Sequence, residues 1–293
     1  MPRLGIGTLT AILALAALAA CGGSSGSSTG TRTTTGSTTA AGVGSAVVPL
    51  RHVPTGEATL AYGAATRTLT VELRLTGLAP NSIHPAHIHS GLCARQGPVA
   101  YPLHDVQADG HGVADTVTAI TAIKEGGIPD AAWYVNVHNG PTLTPEAQFE
   151  PIVCGDVANP ARGAHVAVPL RLGPPPASPP SSPDQSASGT AQLAIRGGAL
   201  TVVLDVTGLR PSSSHAVHIH LGSCASQGAV IHALPSLTAD AGGHATLTAT
   251  VSNVSSIPTG TWYINVHRTT AVTAGQTDFD PILCGDVGGA SGY

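Results

Sequence analysis

The stretch His84-Pro-Ala-His87-Ile-His89-Ser-Gly91-Leu-Cys93 recurs further along the chain as His215-Ala-Val-His218-Ile-His220-Leu-Gly222-Ser-Cys224. Each copy is followed by a second matched pair of signals. Trp133-Tyr-Val-Asn136-Val-His138 precedes Cys154-Gly-Asp156, and Trp262-Tyr-Ile-Asn265-Val-His267 precedes Cys284-Gly-Asp286. The chain is one module written twice. In both copies apolar residues alternate with polar ones, which is the period of a strand with one face buried. Residues i and i+2 of a strand project from one face with Cα atoms about 6.5 to 7 Å apart, close enough for two imidazoles to meet at one ion. His87 and His89 meet that condition, as do His218 and His220, and His84 and His215 have the opposite parity. His138 and His267 need only lie on a neighbouring strand to complete a three-imidazole site. Three nitrogen donors without carboxylate or thiolate favour copper or zinc over calcium or magnesium, and such a site should weaken below about pH 6, where an ordinary imidazole takes a proton.

Working outward, the same period appears in Thr68 to Leu78, where Leu69, Val71, Leu73 and Leu75 alternate with polar partners, and again in Leu200 to Leu209. Turn sequences follow each, at Ala79-Pro-Asn-Ser82 and Arg210-Pro-Ser-Ser213, and later at Ala108-Asp-Gly-His-Gly112 and Ala239-Asp-Ala-Gly-Gly243. Short strands separated by turns, in a chain with 36 glycines and only 3% aromatic residues, predict an all-β protein of two tandem Greek-key β-sandwich or barrel domains. Trp133 and Trp262 alternate with the Tyr, Asn and His positions and are expected in the core. Only 10% of residues are charged and the net charge is −4 with no basic cluster, so nucleic acid and anionic lipid surfaces are excluded as partners. No nucleophile elbow, phosphate loop or paired-carboxylate signature occurs, which removes hydrolase and transferase chemistry.

Met1-Pro-Arg3, an apolar run from Leu4 to Ala20 and Leu18-Ala-Ala-Cys21 form a bacterial lipoprotein signal, residues 1–20, with Cys21 as the lipidated residue. The run is too short for a stable membrane span. Residues 21–44 read as a flexible Gly/Ser/Thr tether. The expected location is the cell envelope, with the chain held to the extracytoplasmic side of a membrane by its lipid alone. Setting Cys21 aside leaves four of the five cysteines, two per copy, in an oxidising compartment. The pairing that leaves each domain self-contained joins Cys93 to Cys154 and Cys224 to Cys284. Each bridge closes a loop of about sixty residues, for which chain entropy gives at most about 4 kcal/mol. Asp156 and Asp286 are expected to cap a turn beside the bridge.

The domains are expected at 45–160 and 164–288. Gly173-Pro-Pro-Pro-Ala-Ser-Pro-Pro resembles a linker, but Ala164-His-Val-Ala-Val-Pro-Leu170 before it echoes Ser45-Ala-Val-Val-Pro-Leu50. Residues 173–188 are therefore read as a proline-rich loop between the first two strands of copy two.

These residues resemble the CHRD (chordin-type) domain: Gly-Leu and a turn, then H-x-x-H-x-H-x-G, Gly97-Pro98-Val99 and the Tyr-Val-Asn-Val-His strand. That domain is similar in fold to the Cu/Zn superoxide dismutase sandwich. The resemblance implies that His87, His89 and His138, and His218, His220 and His267, are copper ligands, one ion per domain, with His84 and His215 as packed structural histidines. It also marks departures. Only about twenty residues separate His89 from Gly110, too few for the dismutase zinc loop, so no zinc subsite is expected. The position of that family's guiding arginine holds Pro151 and Pro281. Three functions stay open: copper binding, a copper-only dismutase-like enzyme acting on a small anion, and a metal-free module for adhesion or envelope interaction. His104, His111, His232 and His244 are expected in solvent.

Overall fold

The computed structural model describes residues 44–144, 146–171, 186–272 and 276–288. Cys21, the tether and most of the proline-rich loop lie outside the described residues.

The chain is built almost wholly of strands. The first copy runs β1 (Ser45–His52), β2 (Thr55–Gly63), β3 (Thr68–Thr76), β4 (Ile83–His84), β5 (Ala86–Leu92), β6 (Arg95–Pro102), β7 (Val106–Gln107), β8 (Ala114–Ile120) and β9 (Trp133–His138). A single helical turn, α1 (Glu146–Phe149), leads into β10 (Pro151–Asp156). The second copy runs β11 (His165–Leu170), β12 (Ser188–Arg196), β13 (Ala199–Thr207), β14 (Ser214–Ser223), β15 (Ser226–Thr238), β16 (Ala245–Ser252) and β17 (Trp262–His267). It ends with α2 (Gln276–Phe279) and β18 (Pro281–Asp286).

Alternation sets the layers. Leu69, Val71, Leu73 and Leu75 of β3 are at most 1% exposed and meet Ile88, Trp133, Val135 and Val137 in one core. Leu200, Val202, Leu204 and Val206 of β13 meet Val217, Ile219, Trp262, Ile264 and Val266 in the other. Both tryptophans lie in cores, as their parity requires. Each domain is a β-sandwich whose strand order crosses over between non-consecutive strands, as in a Greek key.

The opening strands depart from the expected boundaries. β1 pairs antiparallel with β12 from Ser45↔Ala194 to Leu50↔Gly189, then with β18 at Arg51↔Cys284 and His52↔Leu283. β11 pairs with β2 from His165↔Ala61 to Leu170↔Gly56, and Arg171 bridges to Cys154 of β10. The first strand of the chain thus completes the second sandwich, in the sheet order β15-β14-β17-β18-β1-β12-β13-β16. The strand between the copies completes the first, which joins β6-β5-β9-β10 to β11-β2-β3-β8. The first sandwich is one continuous segment, 55–171, and the second combines 45–52 with 186–288. The limits 45–160 and 164–288 follow the repeat in sequence but not the sheets. With only Val53 and Pro54 between β1 and β2, the chain passes directly from one sandwich into the other, the short hinge that favours exchange of an element between like units.

Glycine confirms the equivalence of the two slots. A Cβ at Gly155 would lie 2.5 Å from the Pro169 carbonyl oxygen on β11, and one at Gly285 would lie 2.5 Å from that of Pro49 on β1. The Cys-Gly-Asp motif leaves room for the exchanged strand.

Val48 and Leu50 are at most 2% exposed in the second core. Burial of two such side chains contributes about 1.5–3 kcal/mol each, a large share of a stability of about 5–15 kcal/mol. Deletion of residues 45–52 from the full chain should therefore unfold the second sandwich and spare the first. Limited proteolysis should then cut throughout 186–288 while 55–171 resists; protection of both segments would contradict the exchanged arrangement.

Candidate metal centre

The core takes one face of β5 and β9, so His87, His89, Tyr134, Asn136 and His138 share the other. The register His87↔Asn136 and His89↔Tyr134 sets His87 diagonally beside His138, and the His89 ring comes to 6.1 Å from that of His138. In the second domain His218↔Asn265 and His220↔Tyr263 reproduce it. One nitrogen from each of His87, His89 and His138 lies within 4.8 Å of the others, and the same holds for His218, His220 and His267.

Backbone carbonyls decide which nitrogen each ring presents. His89 Nδ1–H donates to Gly97 O at 2.9 Å and His138 Nδ1–H to Phe149 O at 2.5 Å. His220 donates to Gly228 O at 3.0 Å and His267 to Phe279 O at 2.6 Å. A neutral ring that donates from Nδ1 keeps a lone pair on Nε2. His89 Nε2, His220 Nε2 and His87 Nδ1 are buried without a hydrogen-bond partner. In the second domain His218 Nδ1 faces His267 Nε2 at 3.1 Å, two nitrogens sharing one hydrogen where the first domain has none between them. Orphaned buried polar atoms are rare and call for an explanation. In the first domain His87 Nδ1 and His89 Nε2 converge beside His138 Nε2, which lies 3.5 Å from Asn136 Nδ2, and in the second His220 Nε2 faces the His218–His267 pair. In each, a cation bound by one Nδ1 and two Nε2 atoms would satisfy the orphaned nitrogens. Helper bonds of this kind fix ring tautomer and orientation at metal centres.

Tyr134 stacks on His89 with centroids 4.9 Å apart, and Tyr263 on His220 at 4.8 Å. Phe149 lies 5.0 Å from His138 and Phe279 4.8 Å from His267. The chain holds two phenylalanines, and both cover a histidine from the same position ahead of the second cysteine. Their matched placement was the available signal for this lid.

His84 and His215 point away from the cluster, fully buried. His84 Nδ1–H donates to His138 O at 3.0 Å and Nε2 lies 2.7 Å from Ser82 Oγ; His215 bonds His267 O at 2.9 Å and Ser213 Oγ at 2.6 Å. Both tie the H-x-H strand to the backbone of the third histidine. The bridges are Cys93–Cys154 and Cys224–Cys284. Asp156 Oδ1 accepts from Cys93 N at 2.6 Å and Asp286 Oδ1 from Cys224 N at 2.7 Å, the capping role read from the sequence. Of the other histidines, His104 and His244 are exposed, bonded to Val117 O and Asp205. His232 is half-buried against Trp262 at 5.6 Å. His111, placed in solvent by its turn sequence, donates from Nδ1 to Gln227 O of the other domain at 3.1 Å.

A family model for the CHRD domain matches residues 33–141 and again 169–275, more than half of the chain. The chain belongs to the CHRD domain family. No curated protein matches it. The second CHRD match begins at Pro169, within the strand that completes the first sandwich, and the first match includes β1, which completes the second, so the family unit in sequence and the folded unit take different opening strands. Among the described residues no helix is long and apolar enough to cross a membrane.

Burial depresses every imidazole of the two CHRD clusters. His138 and His267 fall to about 4, by desolvation first, their carbonyl bonds acting in opposition and the neighbouring histidines adding to the fall. His87, His89, His218 and His220 are lowered by the same cause. A lowered pKa keeps the ring neutral to lower pH, so protons compete with a metal later than the pH 6 limit of a free imidazole. Metal affinity, probed with copper(II) in chelator competition, should persist below pH 6 and collapse toward pH 4, where His138 and His267 take a proton. A midpoint near 6.5 would show that the rings titrate as exposed groups.

Proposed function

We propose that this CHRD protein is exported, anchored by lipid at Cys21 to the extracytoplasmic side of a bacterial membrane, and binds one copper ion in each domain. His87, His89 and His138 hold the first ion, and His218, His220 and His267 the second. The observation that carries this reading is the convergence of one nitrogen from each of three imidazoles at the same place in both copies, with His87 Nδ1, His89 Nε2 and His220 Nε2 left without a hydrogen-bond partner. Neutral imidazoles suit copper and zinc, and the resemblance of the three histidines to the dismutase copper ligands favours copper. The two bridges and the signal-like run ending at Cys21 support export.

Binding is favoured over superoxide chemistry because a dismutase draws its anion with a positive field. Pro151 and Pro281 occupy the guiding position. Arg268, which follows His267, is bonded to Glu150 Oε2 at 3.2 Å, and both side chains are at most 15% exposed. That cation is neutralised and turned inward.

Mature protein purified without a histidine tag and loaded with copper should carry about two ions per chain. His87→Ala with His89→Ala should remove one, and adding His218→Ala with His220→Ala should remove the other. Equal copper uptake by wild type and the fourfold variant would overturn the reading. Mass spectrometry of the membrane fraction should find an acylated N-terminal Cys21, and Cys21→Ala should move the protein to the soluble fraction.

A further inference from the structure

The two centres match in their ligands but differ in their surroundings. Gln96 and Gln227 occupy the same place in the two copies, each just before the glycine whose carbonyl holds a ligand histidine. Gln96 is exposed. Gln227 is 3% exposed and sits in the contact between the domains. Its Nε2 donates to Leu78 O of domain 1 at 2.7 Å, its backbone N–H donates to His111 O at 2.9 Å, and its own carbonyl accepts from His111 Nδ1. On the other side its Oε1 accepts from Asn265 Nδ2 at 3.4 Å, on the strand that ends in His267. The next residue, Gly228, holds His220 through its carbonyl and donates its N–H to the Tyr263 hydroxyl at 3.2 Å.

The contact is specific to this pairing. His111 and Gly112 belong to a turn whose shape is held by Asp109 Oδ1, which accepts from the N–H groups of His111 and Val113. A Cβ at Gly112 would meet Leu78 O at 2.2 Å and Gln227 Nε2 at 3.0 Å, so the turn closes on the glutamine without spare room. A second contact flanks it: Gln276 of α2 donates to Ile83 O and Asn139 O and accepts from Ile83 N.

We propose that domain 1 organises the metal centre of domain 2 through Gln227, making the two three-histidine sites unequal and coupling the second site to the interdomain contact. Gln227 is a positioning residue: it touches no metal ligand itself and acts through Gly228 and Asn265. The proposal rests on the metal-binding reading for its affinity readout, but its structural core, the wiring of residues 226–228 to domain 1, is testable without metal. Coupling between two such sites is reciprocal. Occupation of the domain 2 site should therefore tighten the turn at His111 and Gly112.

The test uses the full chain with copper(II) as probe. Gln227→Ala is placed beside His87→Ala and His89→Ala, so that only the second site remains, and Gln96→Ala beside His218→Ala and His220→Ala, so that only the first remains. Loss of a partner bonded to a ligand lowers metal affinity by about 10–100-fold, and a residue acting one bond further out should fall at the lower end, about tenfold. Gln227→Ala should weaken the second site by that factor and change the copper EPR hyperfine pattern at saturation. Gln96→Ala should leave the first site unchanged. Gln227→Glu, which keeps an acceptor for Asn265 and loses the donor to Leu78 O, should behave as the alanine variant. In metal-free protein, Gln227→Ala should speed amide hydrogen exchange at residues 226–228, and Gln96→Ala should not do so at 95–97. Equal effects of the two substitutions, or unchanged exchange at 226–228, would overturn the proposal. Absence of copper from wild type would instead overturn the proposed function, and the exchange result would still decide the wiring.

Discussion

Two hydrogen bonds per domain govern the chemistry of this protein: the Nδ1–H of the second and third histidines donating to backbone carbonyls, Gly97 and Phe149 in one copy and Gly228 and Phe279 in the other. They fix the tautomers, aim Nε2 inward, and hold the rings still on the outer face of a sheet whose inner face is committed to the core. Without them, each imidazole would be free to turn its lone pair toward solvent or a neighbouring carbonyl. With them, burial holds each ring neutral, with its remaining N–H committed to a carbonyl, and leaves the Nε2 lone pairs facing one place. Tyrosine stacking on the second histidine and phenylalanine contact on the third add to that burial.

The strand exchange makes the chain an integrated pair. The second sandwich depends on residues that precede the first, and the first is closed by the strand that follows it. A duplicated gene can keep this arrangement because β1 and β11 present the same surfaces: Val48 and Leu50 point into one core as Val168 and Leu170 do into the other. Each lies over the small residue of a Cys-Gly-Asp motif, where a side chain would collide with the strand's backbone. The interdomain contact is then built on two continuous connections rather than on surface complementarity alone.

Much of this was legible in the residues themselves. Period-two alternation located the strands, the cores and the shared face of His87, His89 and His138; matched spacing gave the disulfides and the capping aspartates. The exchange was not legible, because the sequences of β1 and β11 fit either slot and only three-dimensional connectivity chooses between them. Nor was the difference between Gln96 and Gln227, since both stand in the same Gln-Gly context and diverge only through what packs against them. The depressed pKa of the cluster was hidden for a related reason: an imidazole's titration depends on burial, and Phe149 and Phe279, which cover His138 and His267, lie in segments with no strand period to place them.

The most direct test is anomalous diffraction at the copper edge from crystals of the full mature chain grown with copper. The account predicts two peaks, one bonded to His87 Nδ1, His89 Nε2 and His138 Nε2, the other to His218 Nδ1, His220 Nε2 and His267 Nε2. Peaks elsewhere, or none at either cluster, would contradict it.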